Sequence, residues 1–193
     1  FDEPLSNLDA KLRRQVREDI REIQQKLGVT TIYVTHDQEE ALAISDKVIV
    51  MNNSIIAQEG DPRNLYENPK SKFVANFIGD ANVVTTEVES KEDNYYNLRL
   101  GEVKVKVYSS SNLVQSVSVA LRPEKININK NKSDNSLKSK IISASYVGSS
   151  YQYILSTSIG KLYVISNITN EYFNANDEVY LSFDEKEITI LED

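Results

Sequence analysis

In the first part of the chain, apolar residues recur with a helical period. Leu8, Leu12, Val16, Ile20, Ile23 and Leu27 follow one another at spacings of four and three. Arg13, Arg14, Arg17, Glu18, Arg21 and Glu22 fill the remaining face. This spacing predicts one amphipathic helix over 8–27, ended by Gly28. Residues 30–35 (Thr-Thr-Ile-Tyr-Val-Thr) are β-branched and aromatic, which predicts a strand. A short helix is expected over 38–44, with Asp37 as its cap. The continuous apolar run 48–51 reads as a strand buried on both faces, as in parallel sheets covered by helices. Strands alternating with helices define α/β architecture. A weaker strand over 55–59 follows, then helical segments at 62–67 and 72–78 with Pro69 between them.

From about residue 81 the period becomes two. Strands are predicted at 83–89, 95–100, 103–108, 116–122, 140–146, 151–156, 161–165, 178–183 and 188–191, with polar turn clusters between them. Nine of the eleven tyrosines fall in this part. Many short strands with few helices predict a small barrel or sandwich. The stretch 127–136, rich in Asn, Lys and Ser, is the most loop-like in the chain. The expected fold class is thus α/β followed by all-β, with one domain over 1–80 and another over 81–193.

Composition narrows the class. A hydrophobic fraction of 40% and a charged fraction of 26% are those of a globular protein. No apolar run approaches the roughly 20 residues that cross a bilayer. Zero Cys excludes disulfides, thiolate metal sites and a Cys nucleophile, and fits a reducing compartment. No signal peptide is visible in the opening Phe1-Asp2-Glu3, and the first residue is Phe and not Met, so the expectation is a piece of a longer protein.

Two features carry candidate chemistry. Asp2-Glu3 lies where a strand would meet a loop, followed by Pro4 and then Ser6-Asn7-Leu8-Asp9. Adjacent acids there suit phosphate chemistry: one carboxylate serves Mg²⁺, and the other orients and deprotonates water. Taken alone, the pair reads equally as solvated loop acids. His36, the single histidine, ends the strand expected at 30–35. Ligands of open α/β sheets bind at that end of a strand, although a lone His there also has a purely structural reading.

In combination these residues resemble a family. Phe1-Asp2-Glu3-Pro4-Leu5-Ser6-Asn7-Leu8-Asp9, then Thr35-His36-Asp37-Gln38-Glu39-Glu40-Ala41, then Ser45-Asp46-Lys47-Val48-Ile49-Val50-Met51, are similar to motifs of ABC transporter ATPase subunits. Ile56-Ala57-Gln58-Glu59-Gly60-Asp61-Pro62 narrows the resemblance to the importer branch. Leu121-Arg122-Pro123-Glu124 looks like part of that branch's transport-associated OB (TOBE) domain. The resemblance implies a partial P-loop NTPase domain, its C-terminal part, over 1–80, and an OB-like regulatory β-barrel over 81–193. By the same resemblance Asp2 is the Walker B aspartate, holding Mg²⁺ through water, and Glu3 is the catalytic base. Ser6 and Asp9 lie in the D-loop that couples two nucleotide sites across a homodimer. His36 is the switch histidine, a neutral imidazole donor to the γ-phosphate. In the turn after Met51 the family has glycine following the asparagine. Here Asn53-Ser54 stands instead, and a looser or shifted turn is expected.

The resemblance also implies ATP and Mg²⁺ for the full-length protein, a permease, a solute-binding protein, and a peripheral place on the cytoplasmic face of the membrane. The phosphate cradle Gly-x-x-x-x-Gly-Lys-Ser/Thr is absent from these residues, as are the Gln loop and the Leu-Ser-Gly-Gly-Gln signature. This chain alone is therefore expected to be inactive, and its helical half to be marginal or rescued by dimerisation. Segments 77–84, 121–126 and 147–153 and the ending through Asp193 look most like spermidine/putrescine importers, with ferric iron, phosphonate or sugar as alternatives. The other reading is a non-catalytic dimerisation or solute-sensing module. Residues 81–193 carry 12 Lys+Arg against 15 Asp+Glu, so no nucleic-acid partner is expected.

Overall fold

A computed structural model describes residues 1–113, 115–167 and 171–192; Asp193 lies outside them. The chain divides into two compact units, Phe1–Asn68 and Pro69–Asp193. The division falls ahead of the change of pattern at 81, because residues 72–77 are tied into the second unit.

In the first unit, α1 (Ala10–Leu27) starts later than its periodicity suggests. The Asp9 side chain accepts from the Lys11 and Leu12 amides, both at 3.0 Å, and this cap sets the first turn. Gly28 closes the helix in the left-handed conformation at φ 61°. No residue of α1 is buried, so its apolar stripe is largely uncovered. α2 (Gln38–Ile44) is capped by Asp37 as expected.

The strand predicted over 30–35 is reduced to one parallel bridge between Asp2 and Val34. Its hydrogen bonds run from Glu3 N to Val34 O (2.8 Å) and from Val34 N to Phe1 O (2.9 Å). A ladder needs partner backbone on both sides of each pair, and residues 1–3 supply only one bridge's worth. The apolar run does form a strand, β1 (Val48–Asn52), but not one buried on both faces. It pairs antiparallel with β2 (Ile55–Gly60). Val48 and Val50 are buried, while Ile49 and Met51 are exposed. A hairpin covered on one side alternates in this way.

The turn joining β1 and β2 is tight, not loose. Asn52 pairs directly with Ile55, and Asn53 (φ 48°) and Ser54 (φ 65°) both take the left-handed conformation of a two-residue hairpin turn. The register shift lies further along, between Val50 and Met51. Ser54 therefore bears a conformation suited to glycine. Ser54→Gly is expected to stabilise the chain by about 0.5–1 kcal/mol, read from its denaturant midpoint. α3 (Pro62–Glu67) begins with Pro at its first turn, and the Asp61 side chain accepts from the Asn64 amide.

The second unit opens with α4 (Lys72–Phe77), capped by Ser71. Two five-stranded antiparallel sheets follow. One contains β3 (Asn82–Glu92), β4 (Tyr95–Leu100), β5 (Val103–Tyr108), β6 (Ser116–Leu121) and β12 (Ile188–Leu191), in the order β12-β6-β3-β4-β5. The other contains β7 (Ile126–Asn129), β8 (Leu137–Tyr146), β9 (Ser150–Thr157), β10 (Gly160–Asn167) and β11 (Glu178–Phe183), in the order β10-β9-β8-β11-β7. The all-β expectation for this region holds.

β3 serves two neighbours, pairing with β6 through Glu87 and with β4 beyond a bulge between Val88 and Ser90. A single apolar core, including Leu98, Val105, Leu155, Leu162 and Leu181, draws on both sheets. Asn82 ties the sheets together: its amide donates to Leu121 O and Tyr163 O, and its carbonyl accepts from Tyr163 N at 2.7 Å. Arg122 is buried and donates to Ala75 O (3.1 Å) and Ile78 O (2.5 Å), satisfying carbonyls at the end of α4. β7 lies within the stretch read as a loop. Only Ile126 and Ile128 mark it, and it is an edge strand paired to β11 alone.

Candidate functional site

The Asp2-Glu3 pair sits at the bridge that joins the start of the chain to Val34. The Glu3 backbone takes φ 43°, a conformation costly for a residue with a side chain. Its carbonyl is held by Ser6, which approaches through its amide (3.3 Å) and its hydroxyl (3.0 Å). The twist turns the Glu3 carboxylate toward the segment after Val34, where Oε1 lies 3.0 Å from Nδ1 of His36. Two residues 33 positions apart thus meet in one contact, with the imidazole side chain 73% exposed.

The remaining sequence-predicted residues fall nearby or take other work. Ser6 touches Glu3 only through the Glu3 carbonyl. The Asp9 carboxylate caps α1. Asp2 is exposed beside the pair. Among the described residues no group of three or more His, Asp or Glu converges on a common point.

The contact defines the chemistry of the ring. Glu3 raises the pKa of His36 above its ordinary 6.5, first through the hydrogen bond and then through its charge, with Asp37 and Glu40 adding to the effect. An ionised Glu3 accepts from Nδ1–H, so the neutral ring carries no hydrogen on Nε2. With Nδ1–H held by Glu3, donation from Nε2 takes the imidazolium; the neutral donor that the family resemblance implies takes the other tautomer. The extra stability from the charged pair is fully present below pH about 6.5 and fades as pH rises through the raised midpoint, above which the neutral ring keeps the Nδ1–H bond to Glu3. NMR titration of the single histidine is expected to give a midpoint above 6.5 that falls toward the ordinary value in Glu3→Gln.

Residues that the motifs did not single out hold this segment. Thr35 Oγ donates to Glu40 Oε2 (2.8 Å) and accepts from the Asp37 amide (3.0 Å). Tyr33 OH donates to the same Glu40 oxygen at 3.1 Å. Burial, and secondly the Glu40 charge, push the Tyr33 pKa well above its usual range. Arg13 reaches from α1 to Asp37 (3.4 Å) and to Leu8 O (3.2 Å). Arg13 was legible only as one of several polar-face residues. Glu40 lies on the helix whose apolar pattern is too short to show which side is covered.

Residues 119–191, within the second unit, match the TOBE domain family model. Over its whole length the chain is similar to importer ATP-binding proteins. It is 42% identical over 192 residues to the Fe(3+) ions import ATP-binding protein FbpC of Agrobacterium fabrum, covering 100% of this chain and 54% of that protein. The corresponding protein of Rhizobium etli is 40% identical over 191 residues, covering 99% and 54%. That of Brucella melitensis gives the same 40%, 99% and 54%. The resemblance to ABC importer ATP-binding subunits with a TOBE domain thus extends along the entire chain. The chain spans about half the length of the curated relatives it matches. A solved structure of the molybdate-binding protein ModG superposes with a TM-score of 0.49 at 12% identity, covering 56% of this chain and 94% of that one.

Among the described residues, no helix is long and apolar enough to cross a membrane.

Proposed function

We propose that the chain is part of the energy-coupling ATPase subunit of an ABC importer, with Phe1–Asn68 belonging to its nucleotide-binding domain and Pro69–Asp193 carrying its regulatory β domain. The observation that carries this reading is the Glu3–His36 contact, 3.0 Å across 33 residues, in a chain similar along its whole length to importer ATP-binding proteins. Glu3 is the base toward water, and His36, protonated while bonded to Glu3, presents Nε2–H to the phosphate. Ser6 and Asp9 belong to the segment that couples paired sites in a homodimer.

ATP and Mg²⁺ fit these residues as a partial set. Asp2 offers one exposed carboxylate, the hard oxygen that Mg²⁺ prefers, and such an ion takes its other ligands from phosphates and water. When bound, the ion neutralises developing phosphate charge. This chain lacks the phosphate cradle in its own sequence and is expected to show no ATP turnover alone.

Ferric iron replaces the polyamine expectation, since the relatives named above are Fe(3+) importers. The whole protein acts at the cytoplasmic face of the membrane, against a permease served by a solute-binding protein. Uptake of labelled ferric iron, spermidine and maltose by cells with and without the intact transport system tests this. Loss of iron uptake alone is expected; loss of spermidine uptake alone would restore the polyamine reading.

A further inference from the structure

Glu40 has no part in the roles proposed above, yet it is the one charged side chain of the first unit that is buried among the described residues, at 3% exposure. A carboxylate withdrawn from water is costly unless its oxygens are satisfied. Here they are taken up from two sides. Tyr33 and Thr35 donate to Oε2, while Arg13 brings Nε to 3.9 Å from Oε1. That Nε is itself buried without a hydrogen-bond partner. The rest of the guanidinium bonds Asp37 and Leu8 O. Asp37 completes the ring of contacts: its amide donates to Thr35 Oγ, and its carboxylate accepts from the Glu40 amide (3.1 Å).

The two residues flanking His36 are therefore both fastened to Glu40, Thr35 through the carboxylate and Asp37 through the amide. The His36 ring, exposed and held only by Glu3 among the groups named here, depends on that fastening for its place. The charged or titratable groups around it are Glu3, Asp37 and Glu40, with Arg13, Arg17 and Tyr33 behind them.

We propose that Glu40 is a positioning residue for His36: its buried carboxylate fixes Thr35, and Arg13, which faces that carboxylate, also bonds Asp37, so that together they set where the imidazole meets Glu3. The inference rests on the reading of Glu3 and His36 as a working pair. It also links that pair to the Ser6–Asp9 segment, because Arg13 holds the Leu8 carbonyl as well. A carboxylate is the right group for this task. It accepts from two hydroxyls on one oxygen while facing a guanidinium with the other, which an amide does only in part.

The single histidine makes the test direct, since its ring nitrogens give one set of signals in long-range ¹H–¹⁵N correlation spectra of the 193-residue chain. Spectra are taken at a pH above the ring's midpoint, where the tautomer is read at fixed charge. Wild type is expected to hold mainly the Nδ1–H tautomer, and Glu3→Ala to revert to the mixture of a free imidazole. Thr35→Val alters no charge and is expected to move the ratio at least halfway toward the Glu3→Ala value. Glu40→Ala is expected to do the same, whereas Glu40→Gln, which keeps an acceptor for both hydroxyls, stays nearer wild type. Far-UV circular dichroism confirms that each variant is folded, and Thr35→Val decides the matter where Glu40→Ala is not.

A wild-type ratio in folded Thr35→Val and Glu40→Ala overturns the positioning role while leaving the Glu3–His36 pair intact. An unchanged ratio in Glu3→Ala overturns the pair itself, and the inference falls with it.

Discussion

Replacing Glu3 by Gln in the longer protein in which this chain is proposed to belong is expected to lower ATP turnover by about 10²–10⁴-fold, the usual contribution of a positioned general base. Gln keeps the size of the side chain and an acceptor for the His36 Nδ1–H, so the fold at the bridge survives. The substitution removes the basic oxygen and the charge that favours the imidazolium. Two effects follow: water is no longer deprotonated, and the fraction of His36 with a free Nε2–H falls at neutral pH. The KM for ATP is expected to change little, because the role proposed for Glu3 is toward water and His36 and not the nucleotide. Steady-state phosphate release measures both constants. Turnover within a fewfold of wild type would remove Glu3 from the role of base.

The second large effect is on stability and lies in the other unit. Leu155 is fully buried at the centre of the common core, on β9, which is paired to both β8 and β10. Leu155→Ala deletes buried methyl groups and leaves a cavity that neighbouring strands, each locked in its ladder, cannot collapse to fill. A loss of about 2–5 kcal/mol is expected from urea unfolding followed by far-UV circular dichroism. That is a large share of the roughly 5–15 kcal/mol typical of a domain. Ile32→Ala makes a sharp contrast within the same chain. Ile32 is 78% exposed, and its truncation is expected to change stability by no more than about 0.5 kcal/mol. Equal costs at the two sites would mean that the core described here is not what holds the second unit together.

The contrast also explains which parts of the structure the sequence made legible. In the β unit each strand is half-buried on a packed core, so inward and outward positions alternate and the period survives in the residue types. β4, with Tyr96, Leu98 and Leu100 inward, lies within the predicted bounds for that reason. β7 escaped because an edge strand of four residues needs few apolar positions, and Asn127 and Asn129 tolerate its open side. In the first unit the apolar pattern is equally strong, but Ile32, Ile49 and Met51 are exposed where it predicted cover. Hydrophobic periodicity reports what a segment is fitted to bury, and says nothing about whether its partner is present. Ser54 shows a different limit: a serine at a glycine position suggested a looser turn, while the pairing of Asn52 with Ile55 holds the turn tight against the conformational cost.

The site was half legible. Motif and spacing marked Asp2, Glu3 and His36, and the structure shows Glu3 and His36 in contact. What holds them was not visible, since Arg13 and Glu40 come from two helices whose relative placement no local pattern encodes. Tyr33 and Thr35 looked like ordinary strand residues, and their hydroxyls gained meaning only when both were found on one buried carboxylate.

If Glu3, held to His36, acts on water at a bound nucleotide, the nucleotide retained after one round of turnover reports it. The longer protein and its Glu3→Gln variant are each incubated with ATP and Mg²⁺, separated from free nucleotide and extracted for chromatography. Mainly ADP is expected from the wild type and mainly ATP from the variant. Mainly ADP from both would contradict that role, since hydrolysis would then proceed without the Glu3 carboxylate.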